Sequence, residues 1–230
     1  MIACQSRETP TISDPLILDT AGDDRPTRMR ASDRIAEMLD IADAQLTTTR
    51  SAVISMKAVG EAAGASRALV YAYFPDQYRL LDAVLDRHIE LLSDAGIEDA
   101  ARAGPLLDRC VTCADIYLRH IAAHGMALEI VLREAPVARQ LAGQASPFRA
   151  RLYRHLARAV ASELRMGATE ALTLVQLLAV IPGDAGRLVV EGSLTLDEGI
   201  ELNHRLVASS IAALRPSSLG SGPQSRRPPD

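Results

Sequence analysis

The stretch AVGEAAGASRALVYAYFPD, Ala58 to Asp76, places three aromatic residues within four positions. The whole chain of 230 residues has two phenylalanines, five tyrosines and no tryptophan, so this local concentration indicates a role other than ordinary core filling. A glycine turn precedes the aromatic residues, and Ser66 stands where the side-chain cap of a new helix is expected. The pattern predicts two short helices joined by a tight turn, the second beginning at Arg67, which together form a helix-turn-helix.

The composition favours helices throughout the chain. Alanine and leucine dominate and alternating β-branched runs are scarce, so we predict an all-α fold. The net charge of -4 argues against a protein that coats nucleic acid by bulk attraction, although it leaves room for a local basic face. No uninterrupted apolar run reaches the roughly 18 residues of a membrane helix, and no secretory signal is recognisable. We therefore expect a cytoplasmic protein without membrane contact.

Four segments are predicted along the chain. Residues 1–27 and 215–230 are rich in Pro, Ser and other polar residues and are expected to be a flexible extension and a disordered tail. Residues 28–92 would form the helix-turn-helix domain and residues 93–214 a second helical domain. Ser55 and Ser66 are expected to cap the two short helices, after a first helix over 32–45. Later helices are predicted over 105–123, 126–140, 146–165, 169–190 and 197–214.

A helix-turn-helix lays its second helix in the major groove of DNA, where side chains near the start of that helix reach base edges. The aromatic cluster fits the end of such a helix. Tyrosine hydroxyls can bond phosphate oxygens, and Phe74 can anchor the recognition helix on the helix that follows. Double-stranded DNA is therefore the predicted partner.

Residues 47–86 resemble the DNA-binding domain of the TetR family of bacterial transcriptional regulators, and the likeness extends over about residues 32–92. It rests on five features that follow in order. The first two are the capping hydroxyl of Ser55 and the apolar Val59. The others are the small-residue turn Ala63-Gly64-Ala65-Ser66, the aromatic ending Val70-Tyr71-x-Tyr73-Phe74, and the leucine pair Leu80-Leu81 with Val84. The resemblance implies a homeodomain-like three-helix domain followed by a helical domain for ligand binding and dimerisation.

The resemblance also implies which residues face DNA. A basic arm would consist of Arg28, Arg30 and Arg34, and phosphates would be held by Ser55, Lys57 and Tyr71. The recognition helix would be capped by Ser66 and would present Arg67, Leu69, Tyr71 and Tyr73. Arg67 can pair with guanine and Leu69 can touch a thymine methyl. A solvated Arg67 and a Tyr73 that only packs remain open alternatives. Ala68-Leu69 and Gln77 depart from the family, which commonly has Gly-Thr and a phosphate-binding lysine there, so non-specific DNA affinity should be weak.

In the second domain, four side chains on one face of a predicted helix follow a 4-3-4 spacing and could line an effector pocket: Cys113, Tyr117, His120 and His124. Glu129, Arg133 and Gln176 are further candidates for orienting a small molecule. His120 and His124 could chelate a metal with Cys113, but no acidic partner lies nearby in sequence. We therefore predict neither a metal nor a cofactor.

The resemblance implies a homodimer through the last two helices. Their apolar residues are Leu172, Val175, Leu178 and Ala179 on the first, and Leu206, Ile211 and Leu214 on the second, which could instead face their own core. The predicted function is a homodimeric repressor released from a near-palindromic operator by a small apolar ligand. The alternative is a regulator controlled by a protein partner or by no effector. No catalytic motif is present, so we predict that the protein is not an enzyme.

Overall fold

The computed structural model describes residues 30–215, which form twelve helices and no strand. The all-α prediction is therefore confirmed. The helices are α1 Ala31–Thr49, α2 Met56–Ala62, α3 Arg67–Tyr73, α4 Gln77–Asp94, α5 Ile97–Arg102, α6 Leu106–His124, α7 Ala127–Arg133, α8 Ala135–Ala138, α9 Ala145–Leu164, α10 Ala168–Leu178, α11 Val180–Val190 and α12 Leu196–Leu214. Arg28, the rest of the predicted extension and residues 216–230 of the predicted tail lie outside the described residues.

Side-chain caps fix where the first short helices begin. Ser55 accepts a hydrogen bond from the backbone N–H of Ala58, and Ser66 accepts one from that of Leu69. Asp76 caps α4 by accepting two backbone N–H groups of that helix's first turn. Each such cap stabilises its helix by about 1 kcal/mol. The predicted caps of α2 and α3 are confirmed.

Two predicted helices are each divided in the structure. The pattern over 126–140 forms α7 and α8, which are separated at Glu134, just before Pro136. The pattern over 169–190 forms α10 and α11, which meet at Ala179. Pro136 and Pro182 lack the N–H that would continue the preceding helix, so each lies in the first turn of a new one. The short helix α5 was not predicted.

Helix α4 joins the two parts of the molecule. Its residues Leu80, Leu81 and Val84 are completely buried, and Leu85 is nearly so. The helix packs against α1 on one side and against α5, α6, α7 and α9 on the other. One apolar core consequently extends from the helix-turn-helix into the second part of the chain.

The second part is centred on α6, which packs against α11 and α12. Glycines bring these helices close together. A Cβ atom at Gly186 would lie 2.8 Å from two side-chain carbons of Ile121, and one at Gly199 would lie 2.8 Å from Val189 Cγ2. Any larger residue at either position would force the helices apart.

A chain of buried polar side chains links α1, α4 and α6. Nε2 of His88 lies 2.9 Å from Oδ2 of Asp43, and Nδ1 of His88 lies 2.9 Å from Nε2 of His120. His88 is 1% exposed and His120 is 7% exposed. Arg87 donates to Asp40 and Asp43 beside this chain. The hydrogen bonds hold the first helix against the centre of the second part.

Lowering the pH should destabilise the protein through His120. Burial, followed by the nearby His88 and His124, lowers the pKa of His120 from 6.5 to about 3. Between these two pKa values the unfolded chain binds a proton on His120 that the folded protein does not bind. The stability that neutral His120 contributes is therefore complete above pH 6.5 and declines as the pH falls. Between pH 7 and pH 5 the free energy of unfolding should fall by about 2 kcal/mol from this group.

Urea unfolding at the two pH values measures this loss, with His120→Gln as the comparison variant. Glutamine keeps a hydrogen-bonding side chain but does not titrate, so the variant should lose about 2 kcal/mol less than the wild type over the same pH range. An equal loss in both proteins would contradict the assignment to His120.

Candidate nucleic-acid interface and effector cavity

The helix-turn-helix is held together by a close contact between α2 and α3. A Cβ atom at Gly60 would lie 3.0 Å from Val70 Cγ2 and 3.3 Å from the carbonyl oxygen of Ala65. Gly64, at the turn, has a φ of 57°, which belongs to the left-handed region that favours glycine. Val70 and Phe74 are buried beneath α3. The opposite face of α3 is thereby presented to solvent in a fixed orientation.

A shallow groove on this exposed side brings together four of the predicted DNA contacts. It is lined by Ser55, Lys57, Arg67 and Tyr71, and also by Gln77. The first four residues are exposed. Residues from the starts of α2 and α3 therefore share one surface, although 10 to 16 positions separate them in the sequence. Gln77 lies beside them and contributes a neutral amide.

Arg67 is the cation of this surface that is free to bind. Lys57 lies 3.5 Å from Glu61, and Arg79 lies 3.6 Å from Asp82. Within residues 30–215, Arg67 has no acidic side chain at ion-pair distance, and its guanidinium lies 5.3 Å from the ring centroid of Tyr71. Stacking on an aromatic ring restricts the guanidinium without using its N–H donors, which stay available to a guanine or a phosphate.

The other predicted DNA contacts are more dispersed. Arg30 is exposed at the start of α1 and Arg34 is half-buried one turn later. Leu69 is half-buried on α3, while Tyr73 packs against the apolar core. The position of Tyr73 agrees with the packing alternative that the sequence left open.

The second part of the chain contains a cavity of about 240 Å³ that is partly open to solvent. Its walls come from α4 to α7 and from α9 to α12, and five of the predicted effector residues line it: Cys113, Tyr117, Glu129, Arg133 and Gln176. The hydroxyl of Tyr117 donates to Oε1 of Glu129 at 2.5 Å, and Nε of Arg133 donates to Oε2 of Glu129 at 2.7 Å. Burial, followed by the Glu129 carboxylate, raises the pKa of Tyr117, so this hydroxyl remains a hydrogen-bond donor.

Two predicted effector residues do not line the cavity, and the prediction was wrong for both. His120 faces α4 and contacts His88, while His124 is exposed at the end of α6. The spacing places four side chains along one side of α6. Tyr117 and His120 are three residues apart, however, so they point in different directions around the helix, toward α7 and α4 respectively. Cys113, His120 and His124 consequently do not form a common metal site, and no group of three or more such ligands is arranged for a metal within residues 30–215.

Helix α9 contributes cavity residues that sequence reasoning missed. Arg149 and Tyr153 line the cavity one helical turn apart, next to the buried Phe148. The only sequence signal was their position beside the apolar face of α9. Two thiols also line the wall, and burial raises the pKa of Cys110 to about 11 and that of Cys113 to about 12, so both stay neutral and act as small apolar groups.

The last helices carry the predicted dimer residues on two different faces. Val175 and Ile211 are buried in their own core, so they were wrongly assigned to an interface. Seven other apolar residues of the last three helices are each at least 38% exposed: Leu172, Leu177, Val180, Val190, Leu202, Leu206 and Leu214. Leu178 and Ala179 are half-buried. An apolar surface of this extent on the final helices is typical of a face that another molecule covers.

The segment Ala168–Val190 is long and apolar enough to cross a membrane by length and composition alone, and 28% of its most apolar window is buried. Its helix is divided at Ala179, and its second half carries Asp184, which lies 3.7 Å from Arg133 of α7. Packing of this half against α6 and α12 places it in a helical layer of the fold. This segment is therefore part of the helical fold of residues 30–215.

Several solved structures are similar to this chain over most of its length. A TetR-like transcriptional regulator from Rhodococcus sp. RHA1 aligns with 80% of this chain and 99% of its own, at 19% identity and a TM-score of 0.64. A TetR-family transcriptional regulator from Streptomyces coelicolor aligns with 81% of this chain and 82% of its own, at 24% identity and a TM-score of 0.52. A TetR transcription regulator from Haloarcula marismortui covers 80% and 98%, at 21% identity and a TM-score of 0.50.

No protein-family model matches the sequence, and no curated protein matches it. The likeness therefore rests on the arrangement of helices, from the capped helix-turn-helix to the pair of apolar helices at the end. These helices, together with the structures that share their order and packing, show that residues 30–215 have the fold of the TetR family of transcriptional regulators.

Proposed function

We propose that this protein is a DNA-binding transcriptional regulator and not an enzyme. The observation that carries the proposal is the groove that combines Ser55, Lys57, Arg67 and Tyr71 on the exposed side of a capped helix-turn-helix. The starts of both short helices meet there, so backbone N–H groups and hydroxyls can hold phosphates while α3 enters the major groove. Arg67 would pair with a guanine and Leu69 would contact a thymine methyl.

The regulator acts in this proposal as a homodimeric repressor. Two copies would cover each other's exposed leucines on α10 and α12, and the two-fold symmetry would require a near-palindromic operator. A small ligand in the cavity would favour a state in which the two recognition helices no longer match the operator. The cavity supports this coupling because Ile89 and Leu92 of its wall belong to α4, whose first half packs under the helix-turn-helix.

The second candidate is a regulator controlled by a protein partner or by no effector, acting in the cytoplasm like the first. It differs in what the cavity does. A ligand that binds the folded protein raises its melting temperature, whereas an unused cavity gives no such response. A cavity of about 240 Å³ with a mainly apolar wall and paired polar side chains favours the ligand-controlled form.

Loss of the Arg67 side chain should weaken operator binding. In a dimer the Arg67→Ala variant removes one bidentate pair to guanine from each half-site, each worth about 1–3 kcal/mol, so operator affinity should fall by about 30-fold or more. Gel-shift titration at about 100 mM salt, with DNA from upstream of the protein's own coding region, measures this change. Tyr71→Phe should have a smaller effect, since it removes one phosphate contact and keeps the ring under Arg67.

Arg158→Ala is the matched control, because Arg158 is an exposed arginine on α9, outside the groove. It should bind the operator as the wild type does. Equal binding by the wild type and Arg67→Ala would reject the assigned reading surface. Absence of any specific shift with a folded dimer would reject the proposed function itself.

A charge within the exposed leucine surface should prevent dimerisation. Leu206 is 45% exposed on α12. In a dimer the Leu206→Glu carboxylate would be buried without a partner, which costs several kcal/mol. Light scattering after gel filtration should then give the mass of two chains for the wild type and of one chain for the variant. Leu206→Met is the control and should remain dimeric, whereas a dimeric Leu206→Glu protein would place the interface elsewhere.

A further inference from the structure

The polar side chains of the cavity are concentrated in one group. Tyr117, Glu129, Arg133, Arg149 and Tyr153 all line the cavity. Arg149 and Tyr153 are one turn apart on α9, so their side chains lie on the same face of that helix and reach the same cavity. The group thus has two arginines, one carboxylate and two phenols in a wall that is otherwise mainly apolar.

The single carboxylate of this group is already occupied. Oε1 of Glu129 accepts the hydroxyl of Tyr117, and Oε2 accepts Nε of Arg133. The backbone of α11 closes against the same carboxylate, since a Cβ atom at Gly183 would lie 3.2 Å from Cδ of Glu129. A cationic ligand would have to displace these partners before Glu129 could bind it.

The neighbouring donors are free. Within residues 30–215, Arg149 has no carboxylate at ion-pair distance, and its one protein hydrogen bond joins Nη1 to the carbonyl oxygen of Leu132 at a long 3.4 Å. The hydroxyl of Tyr153 has no hydrogen-bond partner in the same part of the chain. Both residues are half-buried. A half-buried guanidinium beside an unused phenol is suited to an acceptor group that carries negative charge.

The rest of the cavity wall is apolar and indicates what the remainder of such a ligand would be. It includes Leu92, Ile97 and Val207, each buried to 2% exposure or less, together with the neutral thiols of Cys110 and Cys113. The cavity volume of about 240 Å³ and this mainly apolar wall suit an apolar body of medium length.

We propose that the cavity binds an amphipathic monocarboxylate, with its carboxylate on Arg149 and Tyr153 and an apolar body of medium length, such as that of octanoate, against the aliphatic wall. The proposal rests on the proposed function in one respect, because it identifies the chemical class of the effector. One guanidinium and one hydroxyl match the two oxygens of a carboxylate. The apolar body is stabilised by leaving water.

Isothermal titration calorimetry with three ligands of equal chain length tests the head group: octanoate, 1-octanol and octylamine. Octanoate should bind the wild type at least tenfold more tightly than the other two. Arg149→Gln removes the charge and keeps a polar side chain, so it should lose octanoate affinity by about 10- to 100-fold while 1-octanol binding changes by less than about twofold. Tyr153→Phe should show the same selectivity with a smaller loss.

Arg154→Gln is the matched control, because Arg154 is exposed on the same helix and outside the cavity. It should bind octanoate as the wild type does. Equal octanoate affinity for the wild type and Arg149→Gln would overturn the proposal, as would tighter binding of 1-octanol or octylamine. A loss of 1-octanol binding in Arg149→Gln that matches its loss of octanoate binding would also overturn it, since the charge would then have no specific role.

Operator binding without ligand separates this inference from the proposed function. A protein that shifts its operator but does not bind octanoate would overturn the ligand class alone. A protein that binds octanoate with the expected selectivity but never shifts DNA would overturn the regulator alone. Octanoate that binds and also releases the operator supports both.

Discussion

The burial of α4 is the constraint on which the other features depend. Leu80, Leu81, Val84 and Leu85 fill the space between the helix-turn-helix and the second part of the chain, so neither part has a complete core without this helix. One and two turns beyond Leu85, Ile89 and Leu92 form part of the cavity wall. Both ends of α4 therefore belong to one close-packed core.

Hydrogen bonds strengthen the same junction. The half-buried Asp43 and the buried His88 and His120 connect three helices by hydrogen bonds, which are strong where water is largely excluded. The apolar contacts of α4 would tolerate some sliding, whereas these directional bonds fix the position of α1 along it. Together they make the junction between the two parts a defined geometry.

The local features of the helix-turn-helix could be predicted from the sequence, whereas the residues that line the cavity could be predicted only in part. Ser55, Ser66 and Gly64 act on atoms within a few residues of themselves, so their roles follow from local rules. Whether Tyr117 or His120 faces the cavity depends on how α6 is rotated against α4 and α7, which is decided by distant residues.

The same limit applies to the end of the chain. Val175 and Leu172 both belong to the apolar pattern of α10, but only the packing against α9 shows that the first is buried and the second exposed. Arg149 and Tyr153 were missed because a charged and an aromatic residue beside an apolar face are ordinary for a surface helix. Their proximity to Glu129 arises only when α7 and α9 come together.

The pairing of charges in the proposed DNA-binding groove also affects how the proposed regulator would be distributed in a cell. Lys57 lies beside Glu61, so of the two cations that line the groove only Arg67 has no acidic partner within residues 30–215. The rest of a chromosome competes for a regulator mainly through charge, in proportion to the number of phosphates that the protein neutralises. A surface that neutralises few of them leaves more copies in free solution. Few molecules per cell would then keep one site occupied, and each would reach it by diffusion through solution more than by sliding along the duplex.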